Sequence, residues 1–309
     1  MSISSIIGHD KNISLLKQLI LKRRLPHTLL FIGPEGVGKC TTAKEFAKLL
    51  LCEQLVYKND TVDSCEECAS CRMLNLAIHP DFEIVTPQTK DGHISIDQIR
   101  EVERKAYQSP IKGHFKIYII DGAESLKTEA QNSLLKILEE PPKNALFILV
   151  AKTETQLLPT ILSRCTKLHF LHLKPFDVKS ILLKHGIGEK DCIMLSELNL
   201  GSPGYALKLY KDNFTSNYDE YKKFISHLQE GKLDKIIEKF DSIEGDVKDA
   251  LKKFLLSLAL VYYKEYNFKA RLEPIRLLLT AVNYIELNLN PSIVSTWLAV
   301  KLTSIYKNL

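Results

Sequence analysis

The chain has 309 residues, of which 45% are hydrophobic and 26% are charged. At about 150 residues per domain, this length predicts two or three globular domains, and the composition excludes a largely disordered chain. The formal net charge of +5 is too small to argue for nucleic-acid binding by itself. No apolar run approaches the roughly 18 residues of a membrane span, and the start of the chain lacks a signal-peptide pattern. We therefore expect a cytoplasmic protein without membrane contact.

A helix predicted over Asn12–Leu25, and ended by Pro26, precedes the first apolar run, His27–Ile32. Further along the chain, predicted strands alternate with predicted helices: Phe82–Val85, Ile96–Tyr107, Phe115–Ile120, Thr128–Glu140 and Ala145–Val150. Strands buried on both faces read as continuous apolar runs, so this alternation predicts an α/β domain with a mostly parallel sheet over residues 1–170. Beyond Phe170 the periodicity is helical, and we expect a small helical domain over residues 171–210 and an all-α domain over residues 211–309.

A glycine-rich segment follows the first strand and leads into a helix predicted over Lys39–Leu51. Gly33, Gly36, Gly38 and Lys39 have the spacing of a phosphate-binding loop. In such a loop the backbone N–H groups cradle phosphates, and the lysine reaches the β and γ oxygens. Because the segment lies between a strand and a helix, as this chemistry requires, it predicts a nucleotide-binding fold.

The groups that normally act on a bound nucleotide are changed. The position after the loop lysine normally supplies a hydroxyl to Mg²⁺, and here it is Cys40, a soft ligand poorly suited to a hard cation. Thr41 lies about 100 degrees further round the helix, so whether it replaces Cys40 stays open. Asp121 follows a buried strand, where its carboxylate either holds the metal through water or only caps the strand. Gly122 stands where many such ATPases have a glutamate, so we expect weak or absent hydrolysis, with ATP and Mg²⁺ binding left open.

Four of the seven cysteines form one group: Cys52, followed by Cys65, Cys68 and Cys71 in C-x₂-C-x₂-C spacing. Four thiolates hold Zn²⁺ tetrahedrally if the intervening loop folds back. An iron–sulfur cluster is the rival, although the Cys-Pro that completes the bacterial ferredoxin run is absent. Four unconnected thiols are the plainer alternative. We predict one structural zinc ion in a module of about residues 52–71, because nothing beside it supplies an open ligand position or a general base.

The segment Ser163-Arg164-Cys165 ends the predicted sheet domain. An arginine displayed there can reach a phosphate on a neighbouring subunit and stabilise charge that develops in the transition state. Taken alone, such an arginine is more often an ordinary surface residue. Its interpretation depends on the motifs around it.

Four motifs together resemble the clamp-loader branch of the AAA+ proteins: Gly33–Lys39, the four cysteines, Asn132–Pro142 and Leu162–Cys165. The resemblance implies an AAA+ P-loop domain with a zinc-binding insertion, then a helical lid over residues 171–210 and a C-terminal collar over residues 211–309. In that family a ring of five subunits opens a sliding clamp and places it on primed DNA. The resemblance also implies that Arg164, with Ser163 and Cys165 of its motif, acts in trans as an arginine finger on the ATP of an adjacent subunit.

The bacterial branch contains ATP-hydrolysing motor subunits, gamma/tau, and a stator subunit that is weak or inactive as an ATPase. Motors have a hydroxyl residue after the loop lysine, an Asp-Glu pair and a lid arginine. This chain instead has Cys40, Asp121-Gly122 and Gly201–Ala206, which contains no arginine, and Ile78–Phe82 is similar to the stator pattern. The resemblance therefore implies a stator without independent catalysis, in a hetero-pentamer with gamma/tau and delta subunits of the DNA polymerase III holoenzyme, at the replisome.

Two other functions stay open at this point. The preserved Lys39 is also what an active motor ATPase needs. The cysteine group and the slight basicity are also consistent with a zinc-dependent nucleic-acid-binding module.

Overall fold

A computed structural model describes residues 2–58, 61–89, 91–198, 201–232, 235, 238–240, 242, 246–265 and 272–307. The chain divides into two compact units, Met1–Leu207 and Lys208–Leu309. Within the described ranges, no helix combines the length and the apolar character that crossing a membrane requires. The domain boundaries predicted at residues 171 and 211 stay predictions.

A five-stranded parallel sheet forms the centre of the first unit. The strands of this unit are β1 (Thr28–Ile32), β2 (Val56–Lys58), β3 (Thr61–Asp63), β4 (Phe82–Val85), β5 (Lys116–Asp121), β6 (Ala145–Ala151) and β7 (Thr166–His169). The sheet has the order β4-β5-β6-β1-β7, and every pair in it is parallel. The hairpin β2-β3 is separate and antiparallel.

Helices cover both faces of this sheet. The helices of the first unit are α1 (Asp10–Leu21), α2 (Lys39–Leu51), α3 (Ala69–Asn75), α4 (Ile96–Ala106), α5 (Thr128–Glu139), α6 (Pro159–Leu162), α7 (Pro175–Lys184) and α8 (Glu189–Glu197), and α9 (Pro203–Lys211) begins in this unit and extends past its last residue, Leu207. Neighbouring residues of one strand face opposite sides, so Leu30 joins the cluster that contains α4 and α5 residues, while Leu29 joins the cluster that contains α1 and α2 residues. Two cores on one parallel sheet confirm the predicted α/β fold class.

Helix α1 ends at Leu21 and not at the predicted Leu25. Arg23 adopts a left-handed backbone with φ of 52°, and the Arg24 N–H donates to the Leu19 carbonyl at 3.0 Å. A left-handed residue that returns the chain onto the last helical turn is a common helix stop. Pro26 is therefore not what ends the helix.

Strand β7 was not among the predicted strands. Only Leu168 of its four residues is buried, because β7 is the edge strand beside β1. A short edge strand has no continuous apolar run, so the pattern used for the central strands does not detect it.

Helices make up the described part of the second unit. They are α10 (Tyr218–Gln229), α11 (Val247–Glu265), α12 (Leu272–Glu286) and α13 (Pro291–Lys307). Their core contains Phe224 and Phe254, whose rings meet edge to face with centroids 5.2 Å apart. Helical periodicity from Ala250 to Tyr266 predicts a helix there, which corresponds to α11, although Tyr266 itself lies outside the described residues.

Candidate nucleotide and metal sites

The glycine-rich loop lies at the carboxyl end of β1, where parallel sheets of this type bind ligands. Gly33 has a φ of 153°, and a Cβ there would be 2.1 Å from the Phe170 carbonyl oxygen. Gly38 has a φ of 104°, with no atom within 4 Å of a Cβ position. The loop therefore needs glycine at 33 for close backbone packing and at 38 for its left-handed turn.

The loop offers donors to an anion. Among the described residues, the backbone N–H groups of residues 36–41 donate to no other backbone group. Lys39 Nζ donates to the carbonyl oxygens of Gly33 and Pro34, each at 2.6 Å. Burial lowers the pKa of Lys39, and the carboxylates of Glu124 and Asp121 oppose that shift. These unpaired N–H groups and this lysine fit a bound phosphate chain.

The position that follows the loop lysine carries a thiol, where a magnesium site normally has a hydroxyl. Burial raises the pKa of the Cys40 thiol to about 12, and the nearby Asp121 carboxylate reinforces this shift. Thr41 is exposed, and the buried Thr42 hydroxyl donates to the Gly38 carbonyl at 2.9 Å. The position beside Asp121 thus carries a protonated thiol, which is a poor ligand for a hard cation.

Contacts across the loop come from residues to which the sequence assigned no role. Lys152 follows β6, and its Nζ lies 2.7 Å from Glu35 Oε2. Ser202 Oγ donates to the Glu35 carbonyl at 2.7 Å, and the Gly204 N–H donates to the Gly36 carbonyl at 2.9 Å. A Cβ at Gly204 would be 2.8 Å from Gly36 Cα. The segment Gly201–Ala206, which lacks the lid arginine, therefore packs directly on the loop.

The four predicted metal ligands lie together. The sulfur atoms of Cys52, Cys65, Cys68 and Cys71 are all within 4.8 Å of one another. Burial raises the pKa of Cys65, but hydrogen bonds from the N–H groups of Glu67 and Cys68 outweigh it and lower the pKa to about 7. The N–H groups of Cys65, Cys68 and Cys71 donate to the preceding ligand sulfurs at 3.3–3.4 Å. Four convergent thiols with N–H donors fit a tetrahedral thiolate metal site.

The segment Ile78–Phe82, noted in the sequence without a physical role, contains two buried polar residues, His79 and Asp81. His79 Nε2 lies 3.2 Å from Ser70 Oγ in α3, and His79 Nδ1 accepts the Asp81 N–H at 3.1 Å. The Asp81 carboxylate accepts the backbone N–H groups of Ile111, Lys112 and Gly113 at 2.7–2.8 Å. These bonds connect the cysteine module to the loop before β5.

Replacing Asp81 with asparagine is expected to lower the free energy of unfolding at pH 7 by about 2 kcal/mol, because three N–H donors lose a charged acceptor. Burial raises the pKa of Asp81, and these donors outweigh it and hold the pKa below its ordinary value of 3.8. The contribution is therefore present above pH 3.8 and is lost as pH falls through the lower, folded-state pKa. Denaturant unfolding of both proteins at several pH values measures it, and an equal difference at pH 7 and pH 3 would contradict this origin.

Arg164 follows α6, and its side chain is 35% exposed. Its Nη2 atom lies 2.8 Å from Glu139 Oε1, at the end of α5, and its Nη1 atom donates to the Thr160 carbonyl at 2.9 Å. Ser163 is exposed and Cys165 is packed against the core. The Arg164 guanidinium thus lies at the surface. Among the described residues, it makes no hydrogen bond or ion pair with the chain's own phosphate loop.

A parallel sheet with a phosphate loop at its carboxyl edge, covered by helices on both faces, defines a P-loop nucleotide-binding fold. A DNA polymerase III gamma subunit-related protein from Thermotoga maritima has the same fold, with a TM-score of 0.53 and 20% identity, covering 94% of this chain and 98% of that chain. A variant of RuvB from the same organism gives a TM-score of 0.50 and 14% identity, covering 96% and 87%. At these identities the likeness shows the fold alone.

The chain belongs to the family described as DNA polymerase III, delta subunit, whose model matches residues 8–174. It is 34% identical over 185 residues to DNA polymerase III subunit delta' of Bacillus subtilis, covering 60% of this chain and 54% of that protein. It is 36% identical over 193 residues to subunit tau of the same organism, covering 62% and 31%. The chain therefore spans about half the length of the first relative and less of the second. The predicted class, a clamp-loader AAA+ subunit of DNA polymerase III, is confirmed.

Proposed function

We propose that the chain is the delta-prime, or stator, subunit of a DNA polymerase III clamp loader. The observation that carries this proposal is the half-buried Cys40 thiol beside Asp121, at the position that follows the loop lysine. It puts a protonated thiol where a motor ATPase needs a hydroxyl on Mg²⁺, and Gly122 removes the usual glutamate. The phosphate loop keeps its donors, so it binds a nucleotide without efficient hydrolysis. Mg²⁺ would supply charge neutralisation for the phosphates there, and Asp121 is the carboxylate that remains to hold it.

Arg164 is the residue through which this subunit acts on ATP. A guanidinium at the surface is able to stabilise the charge on a phosphoryl group bound by a neighbouring motor subunit. In the free chain Glu139 and the Thr160 carbonyl hold this side chain. An ion pair with this degree of exposure contributes little to stability. A phosphate on a neighbouring subunit is therefore able to replace Glu139 as the partner of Arg164. Cys165 packs against the core and Ser163 is exposed, so these two neighbours position Arg164 at the surface of the domain.

The four cysteines hold one zinc ion with a structural role. Four thiolates complete a tetrahedral coordination sphere and leave no position for a substrate. The cysteines connect the end of α2 to the segment before β4, and the described residues of this stretch form the short elements β2, β3 and α3. Zinc supplies the stability that so small a module lacks by itself.

The partners of this subunit are gamma/tau and delta subunits in a hetero-pentamer, and through the assembly a sliding clamp and primed DNA. In this proposal residues 171–210 form the lid and residues 211–309 form the collar that joins the subunits, in the cytoplasm at the replisome. The support is the family match, together with relatives of both the delta' and tau types.

Reconstitution tests this proposal. The isolated chain is expected to hydrolyse no ATP above background, whereas adding it to gamma/tau and delta subunits is expected to produce hydrolysis that clamp and primed DNA stimulate. Size-exclusion chromatography reports assembly, and phosphate release reports hydrolysis. Turnover by the isolated chain that Lys39→Ala abolishes would instead identify an autonomous motor.

A further inference from the structure

A buried lysine that is not one of the four metal ligands contacts three segments of the cysteine module. Lys48 lies in α2, and its side chain is 2% exposed. Its Nζ lies 2.8 Å from Glu45 Oε2, 3.0 Å from Glu66 Oε1 and 3.0 Å from Asn75 Oδ1. Burial lowers the pKa of Lys48, but the adjacent carboxylates of Glu45 and Glu66 outweigh burial and raise the pKa above its ordinary value. Lys48 is therefore a charged donor at the base of the module.

Each partner of Lys48 belongs to a segment that carries metal ligands. Glu45 is on α2, and Cys52 follows the last residue of that helix. Glu66 lies directly after Cys65, in the turn that leads to Cys68. Asn75 is the last residue of α3, the helix that carries Cys71. One ammonium group thus joins the three segments whose relative positions set the distances between the sulfurs.

The turn between Cys65 and Cys68 needs such support. Glu66 has a φ of 64°, a left-handed conformation that residues other than glycine adopt at a cost. Its carboxylate accepts Lys48 Nζ at 3.1 Å and the Ser64 hydroxyl at 2.8 Å. These bonds to both carboxylate oxygens fix the side chain, and with it the backbone that separates two ligand sulfurs.

We propose that Lys48 is a positioning residue for the metal site, which holds the three ligand-bearing segments in the geometry that the metal requires. The proposal rests on the metal site assigned under the proposed function. A metal that binds preorganised ligands does not have to order the segments itself, so residues behind the ligands typically change metal affinity by about 10–100-fold.

The test uses the full chain and the metals Zn²⁺ and Co²⁺ alone. Lys48→Met keeps the aliphatic stem and removes the ammonium, and Lys44→Met is the matched control, because Lys44 is exposed on the same helix. Competition with a chelator measures the affinity for Zn²⁺, and the visible spectrum of bound Co²⁺ reports whether coordination is tetrahedral. Lys48→Met is expected to lower the affinity by about 10–100-fold and to alter the cobalt bands, with Lys44→Met equal to wild type.

Two further variants separate positioning from a general loss of folding. Lys48→Arg retains a donor and is expected to restore most of the affinity and the cobalt spectrum, whereas Glu66→Gln, which removes one partner's charge, is expected to lower the affinity without unfolding the sheet domain. Wild-type affinity and an unchanged cobalt spectrum in Lys48→Met would overturn the proposal and leave the metal site intact. A wild-type chain that binds neither metal would instead contradict the assigned metal site itself.

Discussion

Replacing Arg164 with alanine is expected to slow ATP hydrolysis by about a thousandfold at the neighbouring site that it completes, because an arginine finger typically contributes at least that factor to turnover. In the reconstituted complex the steady-state rate should fall to what the remaining sites supply. The measurement is phosphate release with clamp and primed DNA present. Single-turnover hydrolysis then shows the slow site as a missing fast phase.

The matched control for this variant is Arg104→Ala. Arg104 is an exposed arginine on α4 that pairs with Glu101 at 2.7 Å, so its loss removes a surface charge of the same kind. The Arg104 variant is expected to hydrolyse ATP as wild type does. Both variants should assemble, because Arg164 contributes one exposed ion pair, to Glu139. Hydrolysis that is unchanged in the Arg164 variant would remove the trans role.

Replacing Cys71 with serine is expected to reduce bound zinc from about one ion per chain to nearly none. Structural zinc sites bind their metal with about 10–16 kcal/mol at neutral pH, which depends on all four ligands being present. Cys71 is fully buried, so a solvent-exposed substitute ligand does not reach its place. The zinc content is measured by atomic emission on the purified protein, and thermal unfolding reports the accompanying loss of stability.

The control is Cys192→Ser, since Cys192 is equally buried but lies in α8, outside the cluster. It is expected to retain zinc. A visible absorption band from an iron–sulfur cluster would refute the zinc assignment, and equal zinc in both variants would show that the metal is held elsewhere.

Local sequence patterns predicted the structure correctly where that structure depends on a single helix, strand or short segment. The helix after the phosphate loop has the predicted bounds, Lys39–Leu51, because a glycine precedes it and its buried face is continuous. The fully apolar runs became the central strands β5 and β6, since strands buried on both faces need no polar positions. The C-x₂-C-x₂-C spacing is typical of metal ligands, and the four cysteines lie together as this spacing predicts.

Contacts between distant segments are what the sequence did not reveal. Lys152 reaches Glu35 only because β6 lies beside β1 in the sheet. Lys48 and Glu66 meet only after the module folds onto α2. In sequence, a lysine in an amphipathic helix predicts a solvated side chain. The local sequence therefore does not indicate that Lys48 is buried with three polar partners. Arg164 and Glu139 lie in two separate motifs, so neither motif by itself predicts the ion pair between them.

One comparison within the same reconstituted complex tests the central claim most directly. ATP hydrolysis is measured with this chain carrying either Lys39→Ala or Arg164→Ala, the other subunits being wild type. If the chain completes a neighbour's site and hydrolyses little itself, the Lys39 variant keeps nearly the wild-type rate and the Arg164 variant loses the fast phase. The reverse pattern, with hydrolysis lost through Lys39 and kept without Arg164, would contradict this account.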